Sequence, residues 1–99
     1  MDELEKQLIV QKLKIKRRIE RIKLDNEILS AIEEDLNRND FNKLFTISSK
    51  FIYQNYAKLW QIVIQANCPD NEKLKAMHFL NDKHRKFREE MKEKNGFEL

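Results

Sequence analysis

Two histidines and one cysteine are the residues of this chain best suited to catalysis or metal binding at neutral pH. His78 and His84 are six positions apart, and on a helix this spacing places them on different faces, so they do not form a chelating pair. Cys68 lies near a predicted helix start, where a thiolate is stabilised, but no defined His/Asp arrangement accompanies it. We expect a structural Cys68 and a boundary His84 paired with a carboxylate.

Carboxylates cluster at Glu33, Glu34 and Asp35, the one place where acidic residues suggest a metal site. No Glu-x-x-His motif accompanies them, and a single cysteine forms neither a Cys-x-x-Cys pair nor an internal disulfide. The only glycine, Gly96, stands near the C-terminus, which excludes glycine-rich phosphate loops. We therefore expect no metal, no cofactor and no catalytic residue, and predict that the protein is not an enzyme.

Charge is segregated along the first 40 residues. Residues 12–23 hold seven Lys and Arg against Glu20, a local charge of +6, while residues 24–40 carry −5 and the first 11 residues −2. Within the positive segment, Lys14, Arg17, Arg18 and Arg21 follow i, i+3, i+4, i+7 spacing and share one side of a helix, which we call the basic face. Such a face could bind successive phosphates or an acidic protein surface. A second basic cluster comprises Lys83, Arg85, Lys86 and Arg88.

The basic face requires a long helix to carry it. Residues 3–37 contain no glycine or proline and are rich in helix-forming residues, so we predict the first helix there. Its apolar residues recur at a spacing of seven, typical of a supercoiled helix. This aliphatic stripe comprises Leu8, Ile15, Ile19, Ile22, Leu29 and Leu36. Val10, Leu13, Leu24, Ile28 and Ala31 form a second apolar side, so we expect the helix to be buried on two sides.

Two further helices are predicted, over residues 40–66 and 69–95. Asn and Asp in residues 37–40 are N-cap candidates, and a bend is expected at Ser48 and Ser49. Pro69 suits a first helical position and Gly96 a helix end. Leu74, Leu80, Phe87 and other apolar residues should face inward. The sequence thus predicts an all-α fold: a single domain over residues 1–99 in which three long helices form an up-down-up bundle.

The doubly apolar first helix favours a homodimer that buries the aliphatic stripe. In an antiparallel pair, Ile15 faces Leu36 and Ile22 faces Leu29, and the same register brings the +6 segment against the −5 segment of the second chain. Three uses of the basic segment stay open: dimer pairing, an acidic protein partner, and nucleic acid. The cluster at residues 83–88 is expected to form ion pairs within the chain, with the acidic residues of the first helix.

The small net charge by itself favours neither nucleic acid nor a membrane as a partner. The 99 residues include 37% charged residues and a net charge of +3, and no segment reads as a signal peptide or membrane span. We expect a soluble cytoplasmic protein of the kind typical of phage-encoded or accessory regulators. Our leading hypothesis is a homodimeric, non-enzymatic protein that binds an acidic partner surface. The alternative is a helical protein that binds nucleic acid non-specifically through its first and third helices.

Overall fold

The computed structural model describes residues 2–95, and this part of the chain is all-helical with five helices. Their bounds are α1 (Glu3–Asn37), α2 (Asn42–Thr46), α3 (Ser49–Gln54), α4 (Tyr56–Gln65) and α5 (Asp70–Asn95). The predicted all-α class is confirmed, and so are the bounds of the first helix. The prediction of three helices is wrong, because the segment expected to form the second helix is divided into three.

A side-chain hydrogen bond defines the start of α1, and backbone hydrogen bonds define its end. The Asp2 carboxylate accepts from the Glu5 backbone N–H at 2.8 Å, which satisfies a donor that the first helical turn leaves without an intrahelical partner. At the other end Asn39 adopts a left-handed conformation with φ of 60°. The Asp40 N–H then donates to the Asp35 carbonyl at 2.8 Å, and the Asn39 N–H donates to Leu36 at 2.9 Å. This is a Schellman ending, so Asn39 ends α1 rather than starting the next helix.

Polar side chains account for the interruptions in the second predicted helix. Ile47 and Ser48 are extended, and the Ser48 hydroxyl accepts from the Phe51 N–H at 3.1 Å as the N-cap of α3. The Asn55 amide donates to the Phe51 carbonyl at 3.2 Å where α3 gives way to α4. Such side chains offer the backbone alternatives to helical hydrogen bonds. The expected bend at Ser48 is therefore a full break, and Asn55 adds a second one.

The start of α5 differs from the prediction by one residue. The helix begins at Asp70, and Pro69 precedes it with a carbonyl that accepts from Glu72 and Lys73 at 3.1 Å. Pro69 is therefore just outside the helix rather than its first residue. The predicted helix end at Gly96 lies outside the described residues. Leu74 is exposed rather than inward, whereas Ala76 and Leu80 are fully buried.

The chain divides after Ser30 into two compact units. In the unit that begins at Ala31, α5 packs against α2, α3 and α4. Its buried apolar side chains come from all five helices, the last turns of α1 included: Ile32, Leu36, Leu44, Ile52, Leu59, Val63, Ala76 and Leu80. The unit up to Ser30 consists of the greater part of α1. The predicted single domain and up-down-up bundle stay predictions.

Candidate interaction surface of the first helix

Apolar side chains on α1 are exposed over its first 26 positions. Ten large aliphatic side chains between Leu4 and Ile28 have exposed fractions of 38–76%. Eight of them belong to the two predicted apolar sides of the helix, which were expected to be buried. Isolated helices are marginal in water, and most helical stability in proteins comes from packing an apolar face. The exposed aliphatic residues therefore make this segment a candidate for an interface.

The structure separates the predicted aliphatic stripe into two parts. Leu29 and Leu36 are 5% and 0% exposed, whereas Leu8, Ile15, Ile19 and Ile22 are each about half exposed. A second chain has no exposed surface at Leu36 to pack against, so the antiparallel register that pairs Ile15 with Leu36 does not suit this fold. We call the four exposed members the exposed stripe.

The basic face has the geometry that its spacing predicts. Lys14, Arg17, Arg18 and Arg21 are all exposed and together line one shallow depression on the helix surface. Among residues 2–95, no carboxylate lies within 4.0 Å of any of these four cations. The four positive charges are therefore available to an anionic ligand.

A third face of α1 was not singled out from the sequence. Lys12, Lys16 and Lys23 line a second depression together with Ile15, Ile19 and Glu20. At about 100° per residue, these three lysines lie on the side of the helix away from the basic face. The exposed stripe lies between the two sets of cations. A sequence signal could have revealed this depression: Lys12 and Lys16 are four residues apart, and so are Ile15 and Ile19.

The basic cluster of α5 differs from the basic face because acidic and aromatic groups accompany it. Asp82 accepts from Arg85 at 2.9 Å and pairs with Lys86 at 3.3 Å on the same helix. The hydrogen bond from Arg85, reinforced by Lys86, lowers the pKa of the Asp82 carboxyl below its ordinary value. The Lys83 ammonium lies 5.8 Å from the Phe79 ring centre. Arg88 is exposed. The predicted pairing of this cluster with acidic residues of α1 stays a prediction.

Acidic residues of α1 do not form a metal site in the described part of the chain. Asp35 pairs with Lys43 at 3.5 Å, while Glu33 and Glu34 are exposed. Among residues 2–95, no group of three or more His, Cys, Asp or Glu residues could hold a metal ion.

His84 lies in an aromatic cluster, and no ion pair with a carboxylate of residues 2–95 accompanies it. Its ring stacks on Tyr53 at 4.9 Å and lies 4.3 Å from Tyr56, whose hydroxyl is hydrogen-bonded to the Asn81 side chain. Phe87 also contacts Tyr53, at 4.9 Å between ring centres. The cluster joins α3 and α4 to α5 and therefore contributes to packing.

No protein-family model, no curated protein and no solved structure matches the chain. Over residues 2–95, no helix is long and apolar enough to cross a membrane.

Proposed function

We propose that this is a non-enzymatic interaction protein that acts through α1. The helix self-associates along the exposed stripe, and its basic face binds an acidic protein surface. The observation that carries the proposal is the exposure of ten large aliphatic side chains over residues 4–28 of one helix. Contiguous exposed apolar surface on a protein marks an interaction site more often than scattered single residues do.

The charges around the exposed stripe determine how self-association should respond to salt. The stripe runs from Leu8 to Ile22, and the +6 segment covers residues 12–23. A pair of helices aligned over the exposed stripe therefore brings cations near cations in both parallel and antiparallel arrangements. Salt screens this repulsion and leaves apolar burial unaffected. We expect self-association to strengthen between low and high salt.

Sedimentation equilibrium of Ile19→Glu and Ile64→Glu tests the self-association. Both isoleucines are on helices and similarly exposed, at 48% and 54%, but Ile64 belongs to α4. The positions one helical turn from Ile19 are 15, 16, 22 and 23, so the new carboxylate does not adjoin the basic face. We expect Ile19→Glu to raise the dimer dissociation constant more than about tenfold, equivalent to about 1.4 kcal/mol.

The matched variant Ile64→Glu should leave the dimer dissociation constant unchanged. Circular dichroism of both variants checks that the helices are retained. Self-association through the exposed stripe would be contradicted if the wild-type protein were monomeric at all salt concentrations. It would also be contradicted if the two variants raised the dimer dissociation constant equally.

A second candidate function is non-specific nucleic-acid binding, favoured by the four cations of the basic face that lack a carboxylate within 4.0 Å in the described chain. Such binding falls steeply with salt, with a log–log slope of about −0.9 for each phosphate contacted on duplex DNA. Oligonucleotide anisotropy measured at several salt concentrations distinguishes this function. Absence of binding at about 50 mM salt would exclude it.

A further inference from the structure

The basic face of α1 does not stand alone on its side of the helix. Val10 lies one turn before Lys14 and Leu13 directly precedes Lys14, while Leu24 lies about one turn and Ile28 about two turns after Arg21. At about 100° per residue, Val10 and Ile28 share the direction of the four cations, while Leu13 and Leu24 lie at its edge. All four apolar side chains are between 38% and 59% exposed. Along about 27 Å of helix, this side of α1 therefore carries apolar side chains at both ends and the four cations between them, with Asp25 one turn after Arg21.

We infer that this side of α1 binds an acidic amphipathic helix of another protein, with carboxylates at its centre and aliphatic residues at both ends. The inference rests on the proposed function, of which it specifies the acidic partner. Opposite charges at the centre fix the register of the two helices, and the aliphatic ends bury apolar surface. Helices that bind in grooves or form coiled coils are recognised through side chains spaced i, i+3, i+4 and i+7 along one face.

The aliphatic ends argue against nucleic acid as the occupant. A phosphate backbone offers cations a charged partner, but it offers Val10, Leu13, Leu24 and Ile28 no apolar surface to bury. Surfaces that bind backbone phosphates instead use Lys, Arg, Ser, Thr, Asn, Gln and Tyr side chains and backbone N–H groups. On α1, Val10 and Leu13 precede the four cations and Leu24 and Ile28 follow them, and the polar residues on the same side are Gln11 and Asp25.

A second copy of this chain also fits this side poorly. Self-pairing centred on the basic face places Arg17 and Arg18 of one chain near Arg21 of the other. Shifting the register toward the acidic residues requires apolar contacts from Ile32 and Leu36, and both are fully buried. Charge and burial together therefore favour a different chain that supplies the carboxylates.

Fluorescence anisotropy of a labelled peptide tests the inference on the full-length protein. The probe is a helical peptide of about 20 residues with four central Glu at i, i+3, i+4, i+7 and Leu at both ends of the same face. Two matched peptides replace either the four Glu by Gln or the Leu by Ser. We expect each replacement to raise the dissociation constant at least about tenfold.

Two triple variants with equal charge loss locate the binding site. One carries Lys14→Gln, Arg17→Gln and Arg21→Gln on the basic face, and the other carries Lys12→Gln, Lys16→Gln and Lys23→Gln on the far side. Gln retains helix propensity close to that of Lys and Arg. We expect at least about tenfold weaker peptide binding for the first variant and less than about threefold for the second.

The outcomes separate this inference from the proposed self-association. Three results would overturn the inference. They are equal losses of peptide affinity in the two triple variants, an unchanged affinity for the Ser peptide, and tighter binding of an oligonucleotide of equal charge than of the peptide. The Ile19→Glu variant should bind the peptide within about twofold of wild type, since its new carboxylate lies away from the basic face. A wild-type protein that binds the peptide but does not dimerise would contradict only the proposed self-association. A protein that dimerises but does not bind the peptide would contradict only the present inference.

Discussion

One repeat of seven runs through α1 and has two different environments. Leu8, Ile15 and Ile22 are about half exposed, whereas Leu29 and Leu36 are buried. The residues have the same chemistry and the same spacing. A heptad repeat therefore shows that a helix has an apolar side, but it does not show which surface covers that side. At Leu36, in the unit from Ala31 onward, the chain itself covers the apolar side.

The largest expected effect tests this contrast directly through two Leu→Ala substitutions. Leu80 in α5 is 0% exposed and Leu13 in α1 is 49% exposed. Removing a fully buried leucine side chain destabilises a protein by about 2–5 kcal/mol, through lost transfer energy and the cavity that remains. An exposed leucine changed to alanine on a helix should alter the unfolding free energy by less than about 0.5 kcal/mol.

Urea denaturation at a protein concentration that keeps the chain monomeric measures both variants. Comparable losses for Leu13→Ala and Leu80→Ala would mean that Leu13 is also buried in the folded monomer. At higher concentration, where self-association is proposed, the cost of Leu13→Ala should stay small because Leu13 is not part of the exposed stripe.

The long first helix was predictable because residues 3–37 are rich in helix-forming residues, although Asp25, Asn26 and Ser30 are of the types whose side chains can compete with helical hydrogen bonds. The segment has no glycine or proline, and its one hydroxyl side chain is Ser30. The second predicted helix failed at Ser48 and Asn55, whose side chains form hydrogen bonds with Phe51. The spacing of apolar residues over positions 41–64 indicates which side of a helix packs against the core. It does not indicate where side-chain hydrogen bonds interrupt that helix. The basic face was predictable from i, i+3, i+4, i+7 spacing alone, because it lies on an unbroken helix.

The burial of individual apolar residues was less predictable. Leu74 and Leu80 belong to the same helical pattern, yet Leu74 is exposed and Leu80 is fully buried. Which of them reaches the core depends on where α3 and α4 pack against α5. Those contacts depend in turn on the two breaks. His84 likewise contacts Tyr53 and Tyr56, side chains from separate helices that periodicity does not bring together.

An intermediate effect on the free energy of unfolding is expected at the break before α3, which has no counterpart in the continuous α1. Replacing Ser48 by Ala removes the hydroxyl that accepts from the Phe51 N–H and caps α3. Loss of an N-cap costs about 1 kcal/mol, with a range of about 0.5–2. Thermal or urea unfolding should show this loss for Ser48→Ala and a much smaller change for the adjacent Ser49→Ala. Equal losses would indicate that the cap does not determine where α3 begins.

The smallest effect concerns the cations of the two regions. Arg85 and Lys86 of α5 pair with Asp82, whereas within residues 2–95 no carboxylate lies within 4.0 Å of the basic face of α1. Arg85 and Lys86 lower the pKa of Asp82, so the carboxylate form favours the folded state. This contribution is present above the ordinary carboxyl pKa of about 3.9 and is lost as the pH falls through the lowered folded-state value. NMR titration of the Asp82 carboxyl should therefore give a pKa below about 3.9 in the wild type.

The Arg85→Gln variant identifies the cause of that shift. Its hydrogen bond to Asp82 is the largest cause, so the pKa of Asp82 should rise toward the ordinary value, and Lys86 should retain part of the effect. Arg18→Gln removes an equal charge from the basic face, where no carboxylate of the described chain lies within 4.0 Å. It should leave the pKa of Asp82 unchanged. An equal rise in both variants would show that net charge, rather than the local pair, sets the pKa, and would remove this distinction between the two sets of cations.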